Sequence, residues 1–420
     1  MPYVAPPLRA HRPPPGVDPR RLADHSLETL AAWLAGETGV ASTRARRAAG
    51  KALRVAFAAD DATRAPYDDA ALIAGGIGAW ARPALLTLDA GLSLTVAHRA
   101  PSADGTVKLL LRTADDHLIE SVLIPAARGR RRARVTLCIS SQVGCARACT
   151  FCETGAHGLN RHLHAHEIVD QSRIARAICA SASTDRPRDR REPPSAGKPR
   201  SGRTRLPAAQ RPVSNIVFMG MGEPMDNLRR VQRAIDLLTT PQAFDFAPSR
   251  VTVSTVGRAD KLADFFASTR AELAISINAP DDQRRARIMP INERHDLATL
   301  KKKLLDVMPR GRRVLFQYAL FGGFNDSLDD ADLLAAYVRD VPCRVNVIPA
   351  NPGPDPALFA PTPTRVDAFV ARLASHGVTT LVRRPRGRDV GGACGQLAGR
   401  RRGLAVLDEA TPPEPGASPR

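Results

Sequence analysis

From Leu22 to about Ala90, apolar residues return at helical spacing. Leu30, Trp33 and Leu34 form one stripe behind Ser26, whose side chain suits an N-cap. This predicts a helical accessory unit over 21–91, after a Pro- and Arg-rich extension, 1–20, expected to be disordered. Between Leu92 and Ile124 the signal changes to short strands: Leu94–Ala97, Val107–Leu111 and Ile119–Ile124. Asp104-Gly105 and Asp115-Asp116 supply the turns, so a β-meander linker is expected over 92–130.

From Arg134 the pattern alternates strand and helix. Predicted strands are Val135–Ile139, Asn215–Met219, Val251–Thr255, Leu273–Ile277, Val314–Leu320 and Arg344–Ile348, with a short one at Thr379–Val382. Several are nearly continuous apolar runs, as in parallel strands covered on both faces. Between them lie helical patterns at Glu167–Ala180, Leu228–Leu238, Lys261–Ser268, Leu297–Met308, Leu328–Val338 and Arg365–Ser375. The fold class is therefore α/β, a partial (β/α)6 parallel barrel spanning 131–399, with its chemistry expected at the C-terminal ends of the strands. Residues 181–212 break the alternation. From Asp185 to Arg211 they hold nine Lys or Arg against three Asp or Glu, and a disordered basic insertion is expected. A disordered tail, 400–420, closes the chain.

Charge and composition then narrow the partners. A net charge of +19 points to a polyanion, RNA or DNA first, although a coding bias toward Arg, Ala and Pro gives the same charge without function. Aromatic content of 4% argues against a surface of base-stacking platforms. No apolar run approaches the length of a membrane span and no apolar leader opens the chain, so a cytoplasmic protein, off the membrane and monomeric, is expected. The seven cysteines are odd in number and clustered, which suggests metal, cluster or redox chemistry rather than a disulfide framework.

Four of them fall between Cys138 and Cys152, and Cys145, Cys149 and Cys152 have the spacing C-x3-C-x2-C. Three thiolates can hold zinc with a fourth ligand, for which Cys138, His157 and His162 are the nearest candidates. They can equally hold three corners of a [4Fe–4S] cluster and leave one iron open. Spacing leaves both readings standing.

With Phe151 in the aromatic slot, the cysteine motif resembles the radical S-adenosylmethionine (SAM) signature. Its surroundings resemble the RlmN/Cfr family of RNA adenine methyltransferases: Ser140-Ser141-Gln142-Val143-Gly144-Cys145, Thr150-Phe151-Cys152-Glu153-Thr154-Gly155, Gly220-Met221-Gly222-Glu223-Pro224, Thr252-Val253-Ser254-Thr255, Met289-Pro290-Ile291-Asn292, Ile348-Pro349-Ala350-Asn351-Pro352 and Ala393-Cys394-Gly395-Gln396-Leu397. The motifs appear in family order. The resemblance implies a [4Fe–4S] cluster on Cys145, Cys149 and Cys152, and two SAM molecules per turnover, one as methyl donor and one as radical source. It implies that Cys394 carries the methyl group, that Cys138 resolves the product through a transient disulfide with Cys394, and that Glu120 is the general base. SAM contacts fall on Gly222, Glu223, Ser254, Ser276, Ile277, Asn278 and Asn351.

The implied activity is methylation of adenine C2 in 23S rRNA, with the tRNA adenine beside the anticodon as a further target. A low-potential donor such as flavodoxin or ferredoxin would supply electrons. The alternatives are Cfr-like methylation at C8, or an inactive RNA-binding protein with a structural zinc. Taken alone, Glu120 reads as an exposed strand carboxylate, and Cys179 and Cys343 as small buried hydrophobes. The basic runs Arg128–Arg134, Arg383–Arg388 and Arg400–Arg402 are candidates for phosphate contact. The chain departs from the family pattern at Glu153, where a small residue is usual, at Ser276-Ile277-Asn278 in place of Ser-Leu-His, and in the 181–212 insertion.

Overall fold

A computed structural model describes residues 20–57, 67–126, 134–184 and 213–398. The 1–20 extension but for its last residue, nearly all of the 181–212 insertion, the 400–420 tail, Arg400–Arg402 and most of the Arg128–Arg134 run lie outside them. The alternating apolar runs become one ten-stranded sheet. Three antiparallel strands begin it: β1 (Leu94–Pro101), β2 (Val107–Thr113) and β3 (Leu118–Ala126). β3 pairs antiparallel with β4 (Arg134–Cys138). The sheet is then parallel through β7 (Val213–Phe218), β8 (Val251–Thr255), β9 (Glu272–Ser276), β10 (Val314–Leu320), β11 (Cys343–Pro349) and β12 (Thr380–Val382). The meander read as a linker is thus part of the same sheet. A separate hairpin, β5 (Gln142–Gly144) with β6 (Leu159–His162), brackets the cysteine loop and was not foreseen.

Helices α1 (Leu27–Thr38), α2 (Ser42–Phe57), α3 (Asp69–Ala74) and α4 (Arg82–Leu85) build the accessory unit. Ser26 caps α1 as read, accepting from Thr29 N–H at 3.2 Å, while Leu30 and Leu34 are fully buried. In the barrel, α5 (Glu153–Ala156) follows the cysteines. The crossovers are α6 (Ala165–Thr184), α7 (Leu228–Thr239), α8 (Leu262–Ser268), α9 (Asp282–Ile288), α10 (Leu297–Val307), α11 (Leu328–Val338) and α12 (Pro363–Ser375). One apolar core runs from Leu22 to Leu397, joining the accessory unit to the barrel.

The join also has a buried polar latch. Asp24 accepts from His166 N–H at the start of α6 (2.8 Å) and pairs with its ring Nδ1 (3.1 Å). Burial lowers the His166 pKa, but the hydrogen bond and charge of Asp24 outweigh it and the net shift is upward. A histidine raised in the folded state gives stability that is fully present below its unfolded value, about 6.5, and lost as pH rises through the folded value. The thermal midpoint is therefore expected to fall as pH is raised from about 6.5, and His166→Gln should flatten that slope. An equal slope in the variant would show that the latch does not titrate.

Candidate active site

The strand ends position everything that follows. β4 delivers Cys138, and the chain then turns through Ser140-Ser141-Gln142, whose polar groups serve as fasteners. Ser140 Oγ donates to Glu120 O (2.6 Å) and accepts from Met221 N–H (2.9 Å). Gln171 of α6 accepts from Ser140 N–H (2.8 Å) and donates to Ser140 O (2.9 Å). Asn227 holds Ser141 O and Leu163 O, at 2.9 and 2.8 Å. The cysteine loop is then tied down by Cys145 N–H to Gly158 O (2.7 Å), Thr150 N–H to Ile288 O (3.1 Å) and the Arg147–Asp226 ion pair (2.7 Å).

This brings Cys145, Cys149 and Cys152 onto the wall of one cavity, with Gly222, Glu223, Ser254, Ser276, Asn278 and Asn351. Burial pushes the Cys145 thiol up to about 12. Burial first, and then the other two cysteines, hold Cys149 well above the usual thiol range. Two buried thiols and the half-buried Cys152 thiol, crowded together, form a donor set that a multiply charged iron core would relieve. Among the described residues, no three His, Cys, Asp or Glu side chains are grouped so as to hold a single metal ion.

Gly222 has φ +100°, and a Cβ there would lie 2.5 Å from the Gln142 Cβ. Gln142 Oε1 in turn accepts from Glu223 N–H (2.7 Å). Gly222→Ala is therefore expected to lower the thermal midpoint, measured by scanning calorimetry. The Glu223 carboxylate is buried and accepts from Met225 N–H (2.9 Å) and Val256 N–H (2.8 Å). Burial raises it to about 7. Ser254 and Ser276 both donate to Gln317 Oε1, at 2.9 and 3.4 Å. Asn278 sits in the left-handed region (φ +57°) and accepts from Ala319 N–H (2.9 Å). Ile277 is not brought to the cavity; its side chain is fully buried in the core.

A second, larger cavity adjoins the first. Cys138, Asn346, Arg383, Arg384 and Arg386 line it. Cys394 lies on the walls of both cavities, as do Met219, Gln317, Ile348 and Asn351. Cys394 is an exposed residue whose thiol is nonetheless pushed up by the protein around it, Cys138 is buried, and neither is in a disulfide. Burial, then the neighbouring Cys394, pushes the Cys138 thiol far up.

The segment carrying Cys394 has no regular structure and is held from three sides. Asn351 Nδ2 donates to Cys394 O (3.1 Å). From the cysteine loop, Glu153 N–H donates to Gly395 O (2.8 Å) and Thr154 Oγ1 to Leu397 O (2.5 Å). From the meander, Lys108 Nζ donates to Gly391 O (3.3 Å), Ser102 Oγ to Asp389 (2.6 Å), and Asp104 accepts from Gly387 N–H (3.0 Å). Glu120 is on neither cavity wall. It is fully buried, not exposed as its strand position suggested, and ion-paired with Lys108 at 3.1 Å.

Residues 139–334 match the model of the radical SAM superfamily. A probable RNA methyltransferase of Sorangium cellulosum is 56% identical over 94% of this chain and 95% of its own length. The dual-specificity RNA methyltransferase RlmN of Anaeromyxobacter dehalogenans is 41% identical, over 76% of this chain and 81% of its own. The chain belongs to the RlmN family of radical SAM RNA methyltransferases. The crystal structure of a radical SAM methyltransferase from Sphaerobacter thermophilus superposes with TM-score 0.71 at 32% identity, covering 91% of this chain and all of that one.

Radical SAM membership implies a [4Fe–4S] cluster and SAM. Cys145, Cys149 and Cys152 would hold the cluster, and the polar strand ends beside them would hold SAM. Sequence reasoning missed Gln317, which organises both serines, and Gln171, which fixes the Ser140 turn. Each left a trace. Gln317 is the one polar residue in the Val314–Leu320 run, and Gln171 interrupts the buried face of a helix.

Proposed function

We propose that this protein methylates adenine C2 in 23S rRNA, and the tRNA adenine beside the anticodon, through a methyl group carried on Cys394. The supporting observation is the place of Cys394 on the wall shared by two cavities. One holds the three thiols and the SAM-contact positions, and the other holds Cys138 and Arg383, Arg384 and Arg386. An adenine ring carbon is a poor nucleophile, so direct polar transfer from SAM is unfavourable. When bound, the cluster and SAM supply a 5′-deoxyadenosyl radical after one-electron reduction by a donor of the flavodoxin or ferredoxin class.

The chain's residues do the rest. Cys394, as thiolate, takes a methyl group from one SAM, and S-adenosylhomocysteine leaves. Loss of a hydrogen atom from that S-methyl group gives a carbon radical, which adds to the adenine and links protein to RNA. The adduct gives up its unpaired electron to the oxidised cluster when bound and its ring hydrogen as a proton to solvent. Cys138, as thiolate, then attacks the Cys394 sulfur, the S–C bond breaks, the released carbon takes a proton to become the methyl group, and the two cysteines are left as a disulfide that a cytoplasmic thiol reduces. The arginines place the RNA backbone. Glu120 is better placed to hold the Cys394 segment through Lys108 than to take a proton from substrate.

Mass spectrometry of rRNA and tRNA nucleosides from a strain lacking the protein tests this reading. Loss of 2-methyladenosine from 23S rRNA is the expected result. Loss of 8-methyladenosine would move the activity to C8, and unchanged nucleosides would overturn the reading.

A further inference from the structure

Helix α9, unforeseen in the sequence, carries Arg285, the largest fully buried side chain among the described residues. All five of its N–H groups are matched. Nε donates to Ile277 O (3.2 Å), Nη1 to Asn292 Oδ1 (2.6 Å) and His295 O (3.1 Å), and Nη2 to Val256 O (2.7 Å) and Ser276 O (3.5 Å). Four acceptors are backbone carbonyls and the fifth is a neutral amide. Arg285 makes no ion pair among the described residues. The neighbouring carboxylates are turned elsewhere: Asp282 is exposed and accepts from Leu297 N–H (2.8 Å), and Asp296 caps α10 at Thr299 N–H (2.6 Å).

Hydrogen bonds to neutral groups satisfy a guanidinium's donors but leave its charge unbalanced, and a buried unbalanced charge is strongly unfavourable. The acceptors come from the ends of β8 and β9 and from the turn after α9, and two of them, Val256 and Ser276, line the cavity that holds the thiols, so the cation is anchored directly behind that cavity's wall. Cys149 packs in the same small apolar cluster as Ile288 and Met289, which follow Arg285 on the chain. Thr150 N–H bonds to Ile288 O (3.1 Å).

We propose that Arg285 is the fixed counter-charge of the three-thiolate site and sets the reduction potential of the cluster bound there. This rests on the cluster assignment above. Three thiolates make the loaded site anionic, and reduction adds one more negative charge. A buried cation beside it therefore favours the reduced form. Arg285 acts through Cys149 and the field at the site, without touching substrate.

Asn292→Asp tests this because it keeps an acceptor on Nη1 while neutralising the cation, losing only the bond that Asn292 Nδ2 donates to Asp282 O (3.2 Å), which is worth less than the ion pair gained. Protein is reconstituted anaerobically with iron and sulfide, assayed for both, and titrated for its reduction potential. Asn292→Asp is expected to load like wild type and to shift the reduction equilibrium about tenfold or more toward the oxidised form, about 59 mV for one electron. Arg285→Lys, which keeps the charge, should stay near the wild-type potential. In the metal-free protein Asn292→Asp should raise the thermal midpoint, because the cation gains a partner; this measurement does not depend on loading. A loaded Asn292→Asp with the wild-type potential, or a metal-free one no more stable than wild type, overturns the proposal. If wild type itself takes up no iron and sulfide, the cluster assignment fails and the proposal fails with it.

Discussion

Alanine at position 394 is expected to leave a protein that binds RNA and SAM but transfers no methyl group, with RNA methylation reduced more than about a thousandfold. The structure makes this variant a clean one. The bonds nearest position 394 grip backbone: Asn351 at Cys394 O, Glu153 at Gly395 O and Thr154 at Leu397 O. Removing the thiol leaves these bonds in place, and the exposed side chain contributes little to the core. The loss would therefore be chemical, visible as unchanged iron content, SAM affinity and thermal midpoint beside absent methyl transfer from radiolabelled SAM. Methylation at the normal rate in this variant would falsify the methyl-cysteine route.

Cys138→Ala should fail differently. On the proposed route Cys138 acts only after the carbon bridge to RNA exists, so its loss should stall the enzyme as a covalent protein–RNA adduct. On a denaturing gel the adduct is a slower band that collapses on ribonuclease treatment, and the Cys138→Ala/Cys394→Ala double variant should lack it. Cys138 is buried at the end of β4, and shortening it to Ala removes one sulfur from the core, a cost of about 1 kcal/mol. Such a cost leaves a folded enzyme. Turnover at wild-type rate without the band would assign product release to another group.

The contrast between these outcomes follows from what the sequence does and does not show. The parallel strands were legible because double burial writes nearly continuous apolar runs such as Val314–Leu320, interrupted by Gln317. The cysteine triad was legible because its ligands are close in sequence. The β5–β6 hairpin was hidden because its strands have three and four residues and leave little periodic signal. Helix α9 was hidden because its seven residues, DQRRARI, look like a solvated loop until Arg285 turns inward. Glu120 was misjudged for the same physical reason: a carboxylate in a strand reads as exposed unless its cation is known, and Lys108 comes from the neighbouring strand. Ile277 follows Ser276 into the turn but faces the core, because alternate strand positions face opposite sides. Asn351 lines the cavity, yet its side chain is spent on Cys394 O and on Arg388, which donates to Asn351 Oδ1 at 2.8 Å.

The fasteners of the Cys394 segment have a consequence for the birth of the enzyme. Lys108 to Gly391 and Ser102 to Asp389 join residues 283 and 287 positions apart, and Thr154 to Leu397 joins residues 243 apart. The three cluster cysteines and most of the barrel leave the ribosome before Cys394 does. A nascent or truncated chain lacking that segment would, on the proposed route, have its cluster ligands and no methyl carrier. Contacts of such long sequence separation are also the slowest to close. On the proposed route, the thiol at 394 meets its partners only once nearly all of the protein has been made.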